Sequence, residues 1–148
     1  MTPLSETLIT QIPAPIEKVF AALTTPVSIA TWLPSCTEAS AEGPLRRGAL
    51  LKVRFSPTRL VTFEIVDFKA PVTFGWVERD GRMGAKCFFR LDPADGSAAT
   101  AVTVREQWQV AGVMAWLKAR FLDKRHRVKL GRAMEALRVS VGVAAPSA

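Results

Sequence analysis

One carboxylate, Glu106, lies among apolar residues in a pattern that could support acid–base chemistry. It belongs to the run 102–110, in which Val102, Val104 and Trp108 alternate with polar residues. If this run is a β-strand, Glu106 shares the apolar face, because successive side chains of a strand point to opposite faces. A carboxylate inside an apolar site can act as a general acid or base. The alternative is a structural carboxylate that is bound to water or held by an arginine.

Few other residues could take part in chemistry. Glu78 shares a predicted strand face with Trp76 and could lie at the mouth of an interior site. The chain has no tyrosine, and its single histidine, His126, lies in a basic run where we expect it to be exposed to solvent. One histidine and two distant cysteines, Cys36 and Cys87, cannot complete a zinc site. We therefore expect no metal and no cofactor, and we predict reduced, buried thiols.

Basic residues are concentrated in one segment. The formal charge is +7, from 20 Lys and Arg against 13 Asp and Glu. The segment 118–132 holds one acidic residue and a cluster of basic ones: Lys118, Arg120, Lys124, Arg125, Arg127, Lys129 and Arg132. We interpret the cluster as a solvated helix face that could contact an anionic partner weakly through Lys124, Arg125 and Arg127. Aromatic residues are not interleaved with the cations as single-strand binders require, so we expect no nucleic-acid binding.

The chain has the length and hydropathy of one globular domain. Its 148 residues are typical of a single domain, which we place at 1–143 with a flexible tail at 144–148. No apolar stretch approaches the roughly 20 residues needed to cross a bilayer, so we expect no membrane insertion. The first residues lack the basic start and apolar segment of a secretory signal. The sequence therefore predicts a cytoplasmic protein; its oligomeric state stays open.

The first third of the chain predicts a strand followed by two short helices. Residues 4–12 alternate loosely between polar and apolar types, as in a strand. A helix begins near Pro15, since proline is well tolerated in a first helical turn. A second helix has Thr25 as its N-cap and Pro26 as its first residue, and it extends to Trp32.

The rest of the chain predicts a sheet and one long helix. Between residues 35 and 110 the apolar period changes to two and turn residues recur at short intervals, which favours six antiparallel strands. After Gly112 a helical period returns over roughly 28 residues. Its apolar stripe comprises Val113, Leu117, Phe121, Val128, Leu130, Met134, Leu137 and Val141. The predicted class is α+β, a helix-grip fold: a curved seven-stranded antiparallel sheet with two short helices and one long C-terminal helix.

This architecture places an apolar sheet face beneath one long helix. A strongly twisted sheet that curls around a helix is hard to fill completely, so a cavity can remain between them. The alternative is a dry core at ordinary interior density. We predict that a cavity would be lined by aromatic and aliphatic side chains: Trp32, Phe63, Trp76, Phe89, Leu91, Trp108, Leu117 and Phe121.

Five short motifs accompany this order of elements. They are Ile12-Pro13-Ala14-Pro15 with Val19-Phe20, Trp32 before Pro34, Glu42-Gly43-Pro44-Leu45 leading to Gly48, Phe89-Arg90-Leu91-Asp92-Pro93, and Val104-Arg105-Glu106-Gln107-Trp108 leading to Gly112. In this order the chain resembles the SRPBCC superfamily, also called START-like or polyketide cyclase/dehydrase and lipid transport proteins. The resemblance extends from about Ile9 to Val141 and implies a cavity for a hydrophobic ligand.

The resemblance leaves three functions open, because members of this superfamily differ in function. The first is binding or carriage of a small hydrophobic or aromatic ligand, which we favour because the chain is poor in catalytic groups. The second is a polyketide cyclase-like enzyme that uses Glu106 as its acid or base. The third is an interaction module like the heat-shock ATPase activators, with the basic helix against an acidic partner.

Overall fold

A computed structural model gives the three-dimensional structure of this chain. It describes the backbone at residues 2–79, 84–110 and 115–144, and the side chains at 4–55, 57–79, 84–109 and 125–141. Asp80-Gly81, one of the turn sequences between the predicted strands, and the tail residues 145–148 lie outside the described residues.

Seven strands and three helices follow one another in the predicted order. They are β1 (Thr2–Ile12), α1 (Ile16–Thr24), α2 (Pro26–Trp32), β2 (Glu38–Ser40), β3 (Leu50–Ser56), β4 (Arg59–Lys69), β5 (Thr73–Glu78), β6 (Lys86–Ala94), β7 (Ala99–Val110) and α3 (Ala115–Ala144). A single 3₁₀ turn at Asp95–Ser97 joins β6 to β7. The predicted helix-grip fold, with seven strands and a long last helix, is confirmed.

All seven strands form one antiparallel sheet in the order β1-β7-β6-β5-β4-β3-β2. Strands β2 to β7 form a meander, in which each strand pairs with the next one in sequence. Strand β1 pairs with β7 and forms one edge of the sheet. Register shifts interrupt the pairing within β3 at Arg54/Ser56 and within β4 at Ile65/Asp67. Such irregularities increase the local twist and bend of a strand, which suits a sheet that curls around a helix.

The helices cover the concave, apolar face of the sheet. Helix α1 buries Val19, Phe20 and Leu23, which share one face at helical spacing. Helix α2 begins at Pro26 after Thr25, as predicted from the sequence. Helix α3 contacts α1, α2, β1 and β7.

The described part of the apolar stripe on α3 differs from the predicted stripe at one position. Leu130, Met134, Leu137 and Val141 are buried, whereas Val128 is 54% exposed. The buried residues follow a spacing of four, three and four, and a residue two positions before Leu130 lies on the opposite side of the helix. Val128 therefore faces away from the core, and its assignment to the stripe was wrong.

Within the described residues, no helix combines the length and the apolar character needed to cross a membrane.

Candidate functional site

A cavity of about 370 Å³ lies between the concave face of the sheet and α3. Its wall combines the end of α2 and the loop after it, the apolar face of β3 to β7, and one side of α3 around residues 129–134. Helix α1 packs near β6 and β7 at the other end of the sheet, where it contributes to the buried core. Helix α1 therefore covers one end of the curved sheet, and the end of α2 borders the space at the other.

Aromatic rings form a continuous part of the cavity wall. Trp32 and Trp76 are stacked with centroids 6.1 Å apart, and Phe63 lies 5.1 Å from Trp76. Phe89 meets Trp32 edge to face at 5.7 Å. The indole nitrogen of Trp32 donates to the carbonyl oxygen of Ala22 at 3.0 Å, so the polar atom of this buried ring is satisfied within the helices. The wall can therefore present rigid ring faces and edges to an apolar guest.

The eight predicted lining residues fall into three groups. Trp32, Phe63, Trp76 and Phe89 lie on the cavity wall. Leu91 and Trp108 are buried, each 1% exposed, but do not line the cavity. Leu91 pairs with Val102, further along the strand than the cavity, and Trp108 lies beyond Glu106 along β7. The side chains of Leu117 and Phe121 lie outside the described residues.

Glu106 lines the cavity and is paired with histidine. The Glu106 carboxylate lies 2.8 Å from Nδ1 of His126, and each side chain is 15% exposed. The imidazole ring stacks on Trp108 with centroids 3.8 Å apart and 14° between the planes. The prediction that the Glu106 side chain points inward agrees with this geometry. The expectation that His126 is exposed to solvent was wrong, because α3 turns this side chain onto β7.

A second carboxylate lies beside Glu106 on the neighbouring strand. Glu6 on β1 is the register partner of Glu106 on β7. Its carboxylate accepts a hydrogen bond of 2.7 Å from Nε of Arg127, the residue after His126. Two adjacent residues of α3 therefore bind two opposed strand carboxylates. Arg127, which we predicted as part of a surface for an anionic partner, is ion-paired within the chain; the side chain of Lys124 lies outside the described residues.

Cys87 places a buried thiol, a potential nucleophile, on the cavity wall. It lies opposite Glu106 in the sheet and lines the cavity wall. Burial raises the pKa of the Cys87 thiol well above its ordinary value of 9.0, the charge of Glu106 raises it further, and Lys129 lowers it. Both cysteines are free thiols, but Cys36 is half-buried rather than buried, and burial raises its pKa while a hydrogen bond to Glu38 lowers it. At neutral pH Cys87 is therefore a protonated thiol and a weak nucleophile.

Charged and polar residues line the cavity where its wall meets solvent. Glu78 is half-buried on the wall, in line with its predicted place near the mouth. Sequence reasoning did not single out Ser35, Arg59 or Lys86, which are exposed members of the lining, and it named Lys129 only as part of the basic cluster. Their local patterns are those of ordinary surface residues, and only the position of the opening makes them part of the site. Among the described residues, no three metal-ligating side chains come together.

Comparisons with known proteins agree with this architecture. The family model described as polyketide cyclase / dehydrase and lipid transport matches residues 5–141. Comparison of the sequence with curated proteins found no match.

Three solved structures illustrate the similarity of the fold. Protein BH1534 of Bacillus halodurans is 21% identical with a TM-score of 0.75, and the match covers 95% of this chain and 99% of that protein. Ara h 8.0201 is 17% identical with a TM-score of 0.70, over 95% of this chain and 98% of that one. Aha1 of Colwellia psychrerythraea, solved as a dimer, is 19% identical with a TM-score of 0.61, over 95% and 98% of the two chains. At these identities the likeness shows the fold alone.

The family model spans nearly the whole helix grip, from β1 to the buried end of α3. The chain therefore belongs to the polyketide cyclase/dehydrase and lipid transport family of the SRPBCC superfamily.

Proposed function

We propose that this protein binds or carries a small hydrophobic or aromatic molecule in the cavity beneath α3. The observation that carries the proposal is the cavity of about 370 Å³ with an aromatic wall. Pockets for small molecules typically measure about 300–1,000 Å³ and are lined mainly by apolar side chains with a few polar groups. Binding would be driven by removal of apolar ligand surface from water, at about 25 cal/mol for each Å².

A neutral fluorescent probe, N-phenyl-1-naphthylamine, tests the proposal. We expect its emission to rise and shift to shorter wavelength as it enters the cavity, and the fluorescence of Trp32 and Trp76 to change with it. Ala133 is buried on α3 and lines the cavity. Ala133→Phe should fill the space and reduce probe binding at least tenfold.

A second variant on the same helix serves as the control. Val139 is 53% exposed and lies away from the cavity lining, so Val139→Phe should bind the probe as the unmodified protein does. Failure of the probe to bind, together with native mass spectra of protein purified from cells that show no bound small molecule, would contradict the proposal.

The position of Glu106 supports a second candidate, a cyclase-like enzyme. Its carboxylate lines the cavity while His126 binds one of its oxygens. A carboxylate held in this way beside an apolar guest could accept a proton from the guest and return it elsewhere, which is general acid–base catalysis.

The test for catalysis uses the molecule extracted from the purified protein. If Glu106 is the acid or base, Glu106→Gln should slow conversion of that molecule by about 10²-fold or more. Binding of the neutral probe should change less than twofold. Undiminished turnover by the variant would remove the catalytic role and leave the binding proposal intact.

The proposed binding protein would act in a reducing compartment such as the cytoplasm. Both cysteines are free thiols, and disulfides are rare where glutathione and thioredoxin keep thiols reduced.

A further inference from the structure

Two donors that line the cavity have no partner among the described residues. Lys129 lines the cavity and, among the described residues, forms no ion pair with Glu78, Glu106 or any other carboxylate. Ser35 lines the cavity after α2, and its hydroxyl has no hydrogen bond within the described residues. Its backbone is left-handed, with φ of 63°, a conformation that costs energy in a residue with a Cβ. The side chain that this strained turn presents is therefore available to a ligand.

The same two residues belong to a second groove outside the cavity. Pro34, Ser35 and Lys129 line both spaces, so the groove begins where the cavity opens. The remaining lining consists of Arg125, Val128 and Arg132, all exposed on α3. No carboxylate lines this groove, and neither arginine forms an ion pair within the described residues. The helical spacing of i, i+4 and i+7 places three cations on one side of α3 beside the opening.

The positive charge of Lys129 also acts on the Cys87 thiol inside the cavity. Burial and the charge of Glu106 raise the pKa of the Cys87 thiol, and Lys129 opposes them. Its ammonium group therefore acts on the interior as well as on the groove. The groove, lined by three cations and no carboxylate, therefore favours a negative charge at the opening, whereas Glu106 acts in the opposite direction deeper in the cavity.

The aromatic wall does not offer the alternative of a cage for a cation. A cage needs ring faces that surround a space for the ammonium group. Here the rings contact one another, with Phe63, Trp76 and Phe89 at centroid separations of 5.1 to 5.7 Å. Two carboxylates line the cavity, and one of them, Glu106, is already paired with His126. The other, Glu78, is half-buried where the wall meets solvent.

We infer that the cavity takes an amphipathic anion, whose apolar body lies against the aromatic wall and whose carboxylate, sulfonate or phosphate group is bound at the opening by Lys129 and Ser35, with Arg125 and Arg132 beside it. This inference rests on the proposed binding function and specifies the chemical class of its ligand. The hydroxyl and ammonium groups donate, and the anion accepts. Such charge-assisted hydrogen bonds are stronger than neutral ones.

A pair of probes that share one apolar body tests the inference. 1-Anilinonaphthalene-8-sulfonate carries the anilinonaphthalene group of N-phenyl-1-naphthylamine together with a sulfonate. Lys129→Gln should weaken binding of the sulfonate probe about three- to tenfold, the range expected for loss of one partly exposed charge-assisted contact. Its effect on the neutral probe should stay below twofold. Added salt should weaken only the sulfonate probe, because screening acts on the charge.

Lys69→Gln provides the matched control. Lys69 is exposed at the end of β4, outside both the cavity and the groove, and its loss changes the net charge equally. We expect this variant to bind both probes as the unmodified protein does. A triple variant, Arg125→Gln with Lys129→Gln and Arg132→Gln, should weaken the sulfonate probe more than Lys129→Gln alone.

The possible results separate the inference from the proposed function. If neither probe binds, the binding function itself fails. If both bind and Lys129→Gln affects them equally, or if Lys69→Gln weakens the sulfonate probe as much, the inference is overturned and the binding function stands. Sulfonate binding that persists in Ala133→Phe would be contact with surface cations alone and would also overturn it.

Discussion

Cys87 illustrates how the cavity controls the chemistry of a single residue. Its side chain is 8% exposed and lines the cavity, where the thiolate would lose most of its hydration. Burial, and then the charge of Glu106, raise the pKa of this thiol, while Lys129 lowers it without reversing the direction. The folded chain therefore keeps the Cys87 proton at pH values where the unfolded chain releases it.

This difference predicts a loss of stability at alkaline pH. Because the folded pKa is raised, the contribution of Cys87 to the free energy of unfolding is fully present below the ordinary value of 9.0. It falls as the pH rises above that value, by up to about 1.4 kcal/mol per pH unit until the folded pKa is reached. Urea unfolding at pH 8 and pH 10 should show a smaller pH dependence for Cys87→Ala than for the unmodified protein.

Cys36 provides the comparison for Cys87, since its side chain is only half-buried. Cys36→Ala should alter the pH dependence less than Cys87→Ala. Identical slopes for the unmodified protein and Cys87→Ala would contradict the assigned cause.

Two consecutive residues attach helix α3 to the strands β1 and β7. His126 binds Glu106, and Arg127 binds Glu6. The two pairs differ in the burial of the basic residue: His126 is 15% exposed and Arg127 is 72% exposed, whereas the carboxylates are alike, with Glu106 at 15% and Glu6 at 12%. An exposed pair gains little, because water and salt screen it and an ordered arginine loses side-chain entropy. A partly buried pair is screened less.

Double-mutant cycles should resolve this difference between the two pairs. Replacing Glu106 and His126 by alanine, singly and together, should give a coupling energy of about 1–2 kcal/mol in urea unfolding at pH 6. The cycle for Glu6 and Arg127 should give less than about 1 kcal/mol. A coupling energy for Glu6 and Arg127 equal to or larger than that for Glu106 and His126 would show that burial of the basic residue does not govern these contacts.

The whole molecule combines a closely packed end with an open end. Ile12, Val19 and Leu23 have no exposed surface and belong to the core that includes α1. Thr100 is fully buried at this end, and its hydroxyl donates to the carbonyl oxygen of Ala14 at 2.8 Å. The cavity lies at the other end, beneath residues 129–134 of α3. The two ends should therefore respond differently to added volume.

Matched alanine-to-phenylalanine substitutions test this asymmetry. Ala133 lines the cavity, whereas Ala14 is buried in the packed core; both are 4% exposed. Ala133→Phe should change the free energy of unfolding by less than about 1 kcal/mol relative to the unmodified protein, because the ring enters empty space. Ala14→Phe should lose at least the 1–3 kcal/mol that overpacking typically costs. Equal losses in denaturant unfolding would indicate that the space near Ala133 is not free.

Local periodicity was sufficient to predict the elements and the strand faces. A period of two over 35–110 and a helical period after Gly112 gave the meander and the long helix, both confirmed. The inward position of Glu106 also followed from its strand, because alternation is a property of neighbouring residues. The same reasoning was misapplied at Val128, which is 54% exposed, because a residue two positions before Leu130 lies on the opposite side of the helix from the buried stripe.

The order of the elements, their apolar faces and the curved sheet around a helix follow from the amino-acid sequence. The position of the cavity follows from the packing of the whole chain: Trp32 borders it, Leu91 lies away from it, and Lys129 lies at its opening. That packing also brings His126 to Glu106, 20 residues away in the chain. Such contacts depend on both the curvature of the seven-stranded sheet and the rotation of α3, and no local pattern of residues predicts the two together.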